Sequence, residues 1–250
     1  MDRRFVWGVV VVLAASGASA LGGVRESEAL AAAGPALTHQ ELVKLLEQRL
    51  AEKEKEVSAL RAQSAQEEEL YRKAEELGIT QQVARSGLAE KQQRRVSVAI
   101  VREAQKNGID PLLVVAVIRC ESSFNTFATS HVGAMGLMQV MPDTGTYLAG
   151  LRGWKLNKTQ NLFDPETNIE LGTWYLADLI QRFGTVEKAL VAYNAGPGLA
   201  KKILAKPANR KKFMAGYPKK VVGEFHKLQA QSVKLQQARA ETPSSAAVEG

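Results

Sequence analysis

Apolar residues recur every seven positions along residues 38–77, a segment rich in Glu, Lys, Gln, Leu and Ala that contains no glycine or proline. One series of heptad positions holds Val43, Leu50, Val57, Ser64 and Tyr71, and the second holds Leu46, Lys53, Leu60, Glu67 and Ala74. This pattern predicts a long helix in which polar residues interrupt both series. Thr38 and Glu41 form a capping box at its start, and Gly78 ends it. A self-associating coiled coil and a single long helix, packed on the domain or exposed, both agree with the pattern.

From residue 94 the pattern becomes that of a compact domain. Apolar residues spaced for one helix face, from Val96 to Ala104, predict an amphipathic helix that ends near residues 107–108. Asp110 and Pro111 supply an N-cap and a first-turn proline. Residues 112–118 are almost continuously apolar, so we expect the helix that they form to be buried nearly all round.

The second half of this domain alternates helices with glycine-rich breaks. Residues 129–146 suit a loop with short strands, and Asp164-Pro165 begins a helix that Gly184 stops. Thr185 opens the next helix, which reaches the breaker at residues 196–198, and a last helical stretch covers 219–236. The pattern therefore predicts a mainly α domain with small β content, preceded by a long helix or coiled coil.

Both ends of the chain differ from this domain. Arg3-Arg4, an apolar run and the small residues Ala18-Ser19-Ala20 predict a signal peptide over residues 1–20. The apolar run is shorter than the ~20 residues of a membrane-spanning helix, so the membrane would be a partner only if this segment stayed uncleaved. Residues 21–37 suggest a flexible leader and residues 237–250 a disordered tail. The predicted location is the periplasm or cell envelope.

Composition narrows the possible partners of the 250-residue chain. Its single cysteine, Cys120, excludes a disulfide framework and a Cys/His metal cluster, and no metal or cofactor is expected. The formal net charge is +7, and many of its cations follow residue 200. A basic surface favours nucleic acid, phospholipid or an anionic wall polymer, although it could also be a solvated face. Secretion counts against nucleic acid.

Glu121 directly follows the apolar helix. Burial and the negative end of the helix dipole both disfavour its charged form and raise its pKa. A raised pKa suits a carboxyl group that must donate a proton near neutral pH, as in the well-known lysozyme glutamate. Position alone, however, fits better with a glutamate that faces solvent or caps a neighbour.

Three motif blocks favour a proton-donating Glu121 over a solvent-facing or capping one. They are Glu-Ser-Ser-Phe-Asn at residues 121–125, Gly-Ala-Met-Gly-Leu-Met-Gln-Val-Met-Pro at 133–142, and Ala-Tyr-Asn-Ala-Gly-Pro-Gly at 192–198. In this order they closely resemble the soluble-lytic-transglycosylase (SLT) domain, which has a lysozyme-like fold. The resemblance covers residues 94–228, about half of the chain.

The resemblance implies a role for each matching residue. Glu121 would be the single catalytic acid and base, and Ser130 would orient its carboxyl group. Gln139 and Met141 would contact the sugar, and Tyr193 and Asn194 would lie beside Glu121. Each also has a structural interpretation: Ser130 as a turn residue, Gln139 as a strand residue, and Met141 and Tyr193 as core packing.

Two positions depart from the family pattern. Thr126 stands where the family usually has proline, which should only loosen the loop. The family often ends in Glu-Thr-x-x-Tyr-Val, and of residues 213–218 only Tyr217 fits that block. The resemblance therefore implies a groove role for Tyr217 from one matching residue of the block.

The resemblance implies a reaction on the glycan strands of peptidoglycan. Most glycosidases use two carboxyl groups, yet no carboxylate lies between Glu121 and Asp143. Lytic transglycosylases need none, and cleave the β-1,4 bond between N-acetylmuramic acid (MurNAc) and N-acetylglucosamine (GlcNAc) to leave 1,6-anhydroMurNAc ends. The alternatives are a lysozyme-type muramidase, a non-catalytic wall-binding scaffold, and a specialised enzyme that opens the wall for a secretion machine or appendage. In the last two, residues 38–77 would bind a partner.

Overall fold

A computed structural model describes residues 38–241. The predicted signal peptide, the leader and residues 242–250 of the predicted tail lie outside the described residues. The helices are α1 (His39–Glu76), α2 (Ile79–Ala84), α3 (Glu90–Lys106), α4 (Pro111–Glu121), α5 (Pro142–Leu151), α6 (Pro165–Phe183), α7 (Val186–Ala195), α8 (Pro197–Ala205), α9 (Pro207–Met214) and α10 (Tyr217–Glu241). A 3₁₀ helix covers Thr159–Phe163. Within residues 38–241 the mainly α expectation is confirmed.

The long helix α1 begins as the sequence predicts. The Thr38 amide donates to Glu41 Oε2 at 2.7 Å and the Glu41 amide donates to Thr38 Oγ1 at 3.3 Å, which is a capping box. Side chains of residues 39–58 are exposed. That part of α1 belongs to one unit of the chain, and the described residues from Ala59 onward belong to a second unit.

In the second unit, the core is built around α4. Every side chain from Leu112 to Ile118 is at most 4% exposed, as expected for a helix covered on all sides. Asp110 caps the helix by accepting a hydrogen bond from the Leu112 amide at 2.8 Å. Helices α10 and α3 pack on α4, α6 packs on α3 and α7, and α8 packs on α7. Leu70 and Ala74, at the end of α1, join this core.

The structure corrects three expectations. The short strands expected in 129–146 are reduced to two isolated bridges, Thr129 with Met135 and Met135 with Val140. Left-handed backbone at residues 133, 136 and 139 interrupts any strand there, and Pro142 then begins a helix. The breaker at residues 196–198 is followed by α8 and α9, since Pro197 and Pro207 occupy first turns of helices. Helix α10 continues to Glu241, past the predicted start of the tail at residue 237, because residues 224–241 contain neither glycine nor proline.

Candidate active site

Glu121 is the last residue of α4, and its side chain is half-buried. Burial raises the pKa of its carboxyl group above the ordinary value. A hydrogen bond from Tyr217 and the positive charge of Lys220 act against this rise without cancelling it. The backbones of Ser123 and Phe124 are left-handed, with φ of 51° and 67°, so the chain turns sharply just after this carboxyl group.

Tyr217, the predicted groove residue with the weakest motif support, makes direct contact with Glu121. Its hydroxyl donates a hydrogen bond to Glu121 Oε1. Tyr217 is the first residue of α10, which packs on both α4 and α7, and this packing brings the phenol to the end of α4. Burial and then the charge of Glu121 hold the pKa of Tyr217 well above its usual value, so the phenol stays a donor.

Tyr193 lies near the same carboxyl group. Its hydroxyl donates to the backbone oxygen of Met138 at 2.7 Å, and its ring packs on Tyr175 with 5.6 Å between centroids. Burial is the main reason that the pKa of Tyr193 is raised well above normal, and the charge of Glu121 adds to it. The neutral hydroxyl therefore anchors the loop that contains Met138.

Gln139 occupies that loop in a left-handed conformation, with φ of 51°. Its side-chain nitrogen donates to the backbone oxygens of Gly136 at 2.9 Å and Ala128 at 3.1 Å. These bonds hold the loop closed on itself. The structure thus gives Gln139 a clear role in shaping the groove wall, while its contact with a sugar stays a prediction.

Two adjoining cavities follow this wall. One, of about 320 Å³, is bounded by Gln139, Met141, Tyr193 and Asn194, together with Tyr175 and Thr144. The other, of about 240 Å³, is bounded by Asn194, Lys212, Phe213 and Tyr217. Asn194 borders both cavities, which together we call the groove, and five of the predicted substrate-binding residues line it. Glu121 lines neither cavity and meets the groove through its hydrogen bond with Tyr217.

Ser130 is the predicted site residue that the structure does not join to the others. Its hydroxyl oxygen accepts a hydrogen bond from the Ala134 amide at 3.0 Å, and its own amide donates to the Ala134 oxygen at 2.9 Å. These bonds are those of a turn residue. Within residues 38–241 no hydrogen bond links Ser130 to Glu121, and its orienting role stays a prediction.

Asn168 is a buried residue of α6 that shapes the site. Its amide nitrogen donates to the backbone oxygens of Met135 and Leu162, both at 2.8 Å. Its side-chain oxygen accepts from the Met138 amide at 2.7 Å. The sequence signal was a polar residue beside Ile169 on the buried face of α6. Ser122 adds a bond of 2.8 Å from its hydroxyl to the Leu137 oxygen.

Neither cavity has an aspartate or glutamate among its lining residues. In the part of the chain from residue 38 to 241, no group of three or more His, Cys, Asp or Glu could hold a metal ion. Over the same residues, no helix is both long and apolar enough to cross a membrane. The geometry therefore offers acid and base chemistry from the single carboxyl group of Glu121.

Residues 99–215 match the family model described as the transglycosylase SLT domain. This segment includes Glu121 and both groove-lining motif blocks. These residues, just under half of the chain, are similar to the SLT domain. The resemblance seen in the sequence is thereby confirmed.

Individual relatives agree with this assignment. The membrane-bound lytic murein transglycosylase C of Sodalis glossinidius is 38% identical over 124 residues, which are 45% of this chain and 35% of the relative. The soluble lytic murein transglycosylase of Escherichia coli K12 is 42% identical over 100 residues, 38% of this chain and 15% of the relative. The chain thus spans only about a third of the first relative and less of the second.

A solved structure with a similar fold supports the same comparison. The solved structure of the 70 kDa soluble lytic transglycosylase of Escherichia coli superposes with a TM-score of 0.51 and 27% identity, over 66% of this chain and 30% of that one. The lysozyme-like fold expected for the SLT domain is confirmed.

Proposed function

We propose that this protein is a lytic transglycosylase that cleaves the MurNAc–GlcNAc β-1,4 bond of peptidoglycan and leaves 1,6-anhydroMurNAc ends. The observation that carries the proposal is the half-buried carboxyl group of Glu121, which has a raised pKa and is hydrogen-bonded to Tyr217 in the wall of a groove that no aspartate or glutamate lines. A glycosidase that activates water normally needs that second carboxylate. The SLT domain and the relatives named above support the same activity.

In the first step, protonated Glu121 donates its proton to the glycosidic oxygen, and the bond from that oxygen to C1 of MurNAc breaks. Burial favours the protonated starting state because it disfavours the carboxylate. The GlcNAc side leaves as an alcohol. The acetamido oxygen of the same MurNAc stabilises the positive charge at C1.

In the second step, the Glu121 carboxylate removes the proton of the MurNAc 6-hydroxyl, and that oxygen bonds to C1. Glu121 is then protonated again, as it was at the start, and no water is consumed. Tyr217 has a distinct part here, because its hydrogen bond stabilises the ionised carboxylate that forms between the two steps. Burial and Tyr217 thus favour opposite protonation states of one group.

The test is product analysis on purified sacculi with matched variants. Wild type is expected to release anhydro-ended muropeptides, and Glu121→Gln to lose this release by at least about 100-fold, since an amide cannot donate or accept the proton. Asp143→Asn, which alters the next carboxylate along the chain, is expected to keep it. Retained release by Glu121→Gln would refute the assignment of Glu121.

We further propose that the protein acts in the periplasm or cell envelope. Peptidoglycan lies outside the cytoplasmic membrane, and the pattern of residues 3–20 is that of a secretion signal. Cleavage is expected after Ala20, which the N-terminal sequence of the mature protein would test.

The exposed part of α1 supports a proposal of self-association through a parallel two-stranded coiled coil. Leu46, Leu50 and Leu60 are each about 60% exposed, and Val43 and Val57 continue the same heptad series. Valine in the first series with leucine in the second favours parallel pairs. In register, Arg49 would face Glu54 of the second chain, and Glu56 would face Arg61.

A further inference from the structure

The segment from residue 201 to 220 is uniformly basic. It contains eight Lys and Arg residues and no Asp or Glu. All eight side chains are exposed, and within residues 38–241 none of them forms an ion pair. We call these eight side chains the basic face. Unpaired cations of one sign create a positive potential that attracts anionic groups.

The basic face reaches the reaction site. Lys212 and Tyr217 line the same cavity of about 240 Å³. Lys220 Nζ lies 3.5 Å from the backbone oxygen of Cys120, the residue before Glu121, and its charge acts on the Glu121 carboxyl group. One cation of the basic face therefore lies in the cavity wall that contains Tyr217, and another lies at the end of α4 near Glu121.

We infer that the basic face binds the free carboxylates of the peptide stems carried by the glycan strand. This inference rests on the proposed function, because it concerns the substrate of that reaction. A stem is attached through the lactyl group of the same MurNAc whose C1 reacts at Glu121. It must therefore leave the groove beside Glu121, where Lys212 and Lys220 lie. Stems end in free carboxylates that reach well beyond the sugar ring, whereas a strand without stems keeps only the lactyl carboxylate of each MurNAc, close to the ring. The basic face therefore distinguishes stem-bearing strands from strands without stems.

A phospholipid surface is the competing anionic partner, and the position of Lys212 argues against it. Lys212 contributes to the wall of a concave cavity, which a bilayer surface cannot enter. A flexible peptide stem can enter that cavity while its sugar stays in the groove.

The test measures equilibrium binding to glycan strands in the Glu121→Gln background, so that the strands remain uncut. One strand preparation keeps its stems, and the other has lost them to an amidase. Lys211→Gln with Lys212→Gln is expected to weaken binding of stem-bearing strands about three- to tenfold, and of bare strands less than about twofold. Lys91→Gln with Lys234→Gln removes the same charge outside the basic face and should change neither value.

Equal weakening for both strands, or none for either, would overturn the inference. The inference would also fail if Lys211→Gln with Lys212→Gln weakened binding to phosphatidylglycerol vesicles and to neither strand preparation. The basic face would then bind a membrane. Failure of the proposed function would give a different result, because wild-type protein would then release no anhydro ends from either strand preparation.

Discussion

The Tyr217 hydroxyl donates a hydrogen bond to Glu121 Oε1 across 96 positions of sequence. The bond joins the first residue of α10 to the last residue of α4. It lowers a pKa that burial raises, and so adjusts the acidity of the proposed catalytic group without supplying a second carboxylate.

Tyr217→Phe should therefore raise the pKa of Glu121 further. The group then stays protonated to higher pH, and the alkaline fall of kcat/KM should move to higher pH. The value of kcat should drop about tenfold, because the intermediate carboxylate loses a charged hydrogen bond. The measurement is the pH profile of anhydro-product release. Tyr147→Phe, at an exposed tyrosine of α5, serves as the control. If the alkaline limb of the Tyr217→Phe pH profile stayed in place or moved to lower pH, this role of Tyr217 would be contradicted.

Glu121→Gln should stabilise the fold at neutral and alkaline pH. A carboxyl group whose pKa is raised on folding contributes stability below its unfolded pKa, and this contribution is lost as the pH rises through its folded pKa. Glutamine does not titrate, so the difference in Tm between variant and wild type should grow with pH across that window. Thermal unfolding from pH 4 to pH 8 tests the sign. A variant that becomes relatively less stable as the pH rises would disprove it.

Asn168→Ala should destabilise the protein by about 2–4 kcal/mol, since two buried backbone groups and one part-buried backbone group lose their partner. The loop from Met135 to Met138 should loosen with it and lower activity. Asn161→Ala, at an exposed asparagine of the 3₁₀ helix, should change stability by less than about 0.5 kcal/mol. Urea unfolding gives the free energy of unfolding of both variants. Equal losses of stability would contradict a stabilising role for the Asn168 hydrogen bonds.

Two loop glycines form a matched pair. Both have positive φ, 77° at Gly136 and 87° at Gly133. A Cβ at Gly136 would lie 2.3 Å from the Leu162 backbone oxygen, whereas a Cβ at Gly133 would meet nothing within 4 Å. Gly133→Ala should cost about 1 kcal/mol of backbone strain. Gly136→Ala should cost more than about 3 kcal/mol, because a backbone clash is added. Similar free energies of unfolding for the two variants would contradict this account.

The coiled-coil proposal predicts that heptad residues of α1 hold a dimer together. Leu50→Lys should raise the dissociation constant of a dimer about 100-fold, because two leucine side chains lose their burial. Leu45→Lys changes an equally apolar, exposed residue outside the heptad series and should leave the dimer intact. Sedimentation equilibrium distinguishes these outcomes. A wild-type protein that is monomeric at all concentrations would end the proposal.

Local signals explain what the sequence could predict. Asp110 with Pro111, Asp164 with Pro165, and Gly184 marked helix ends correctly, because caps and first-turn prolines act within a few residues. The importance of Glu121 followed from motif order, with burial of α4 as its physical support.

Long-range packing explains what the sequence could not predict. The contact between Tyr217 and Glu121 depends on how α10 packs on α4 and α7, and no local pattern encodes it. Two of the three Asn168 bonds likewise join segments about 30 positions apart. The sequence pattern predicts a break at Pro197, whereas the structure begins α8 there, and no pattern noted in the sequence pointed to α9, which begins at Pro207.

The central claim is that Glu121 catalyses intramolecular transfer without water. Digesting purified sacculi in H₂¹⁸O, followed by mass spectrometry of the new ends, tests it most directly. The account predicts ends that lack ¹⁸O and are lighter than reducing ends by the mass of one water. New reducing ends that carry ¹⁸O would contradict it and would identify a hydrolase.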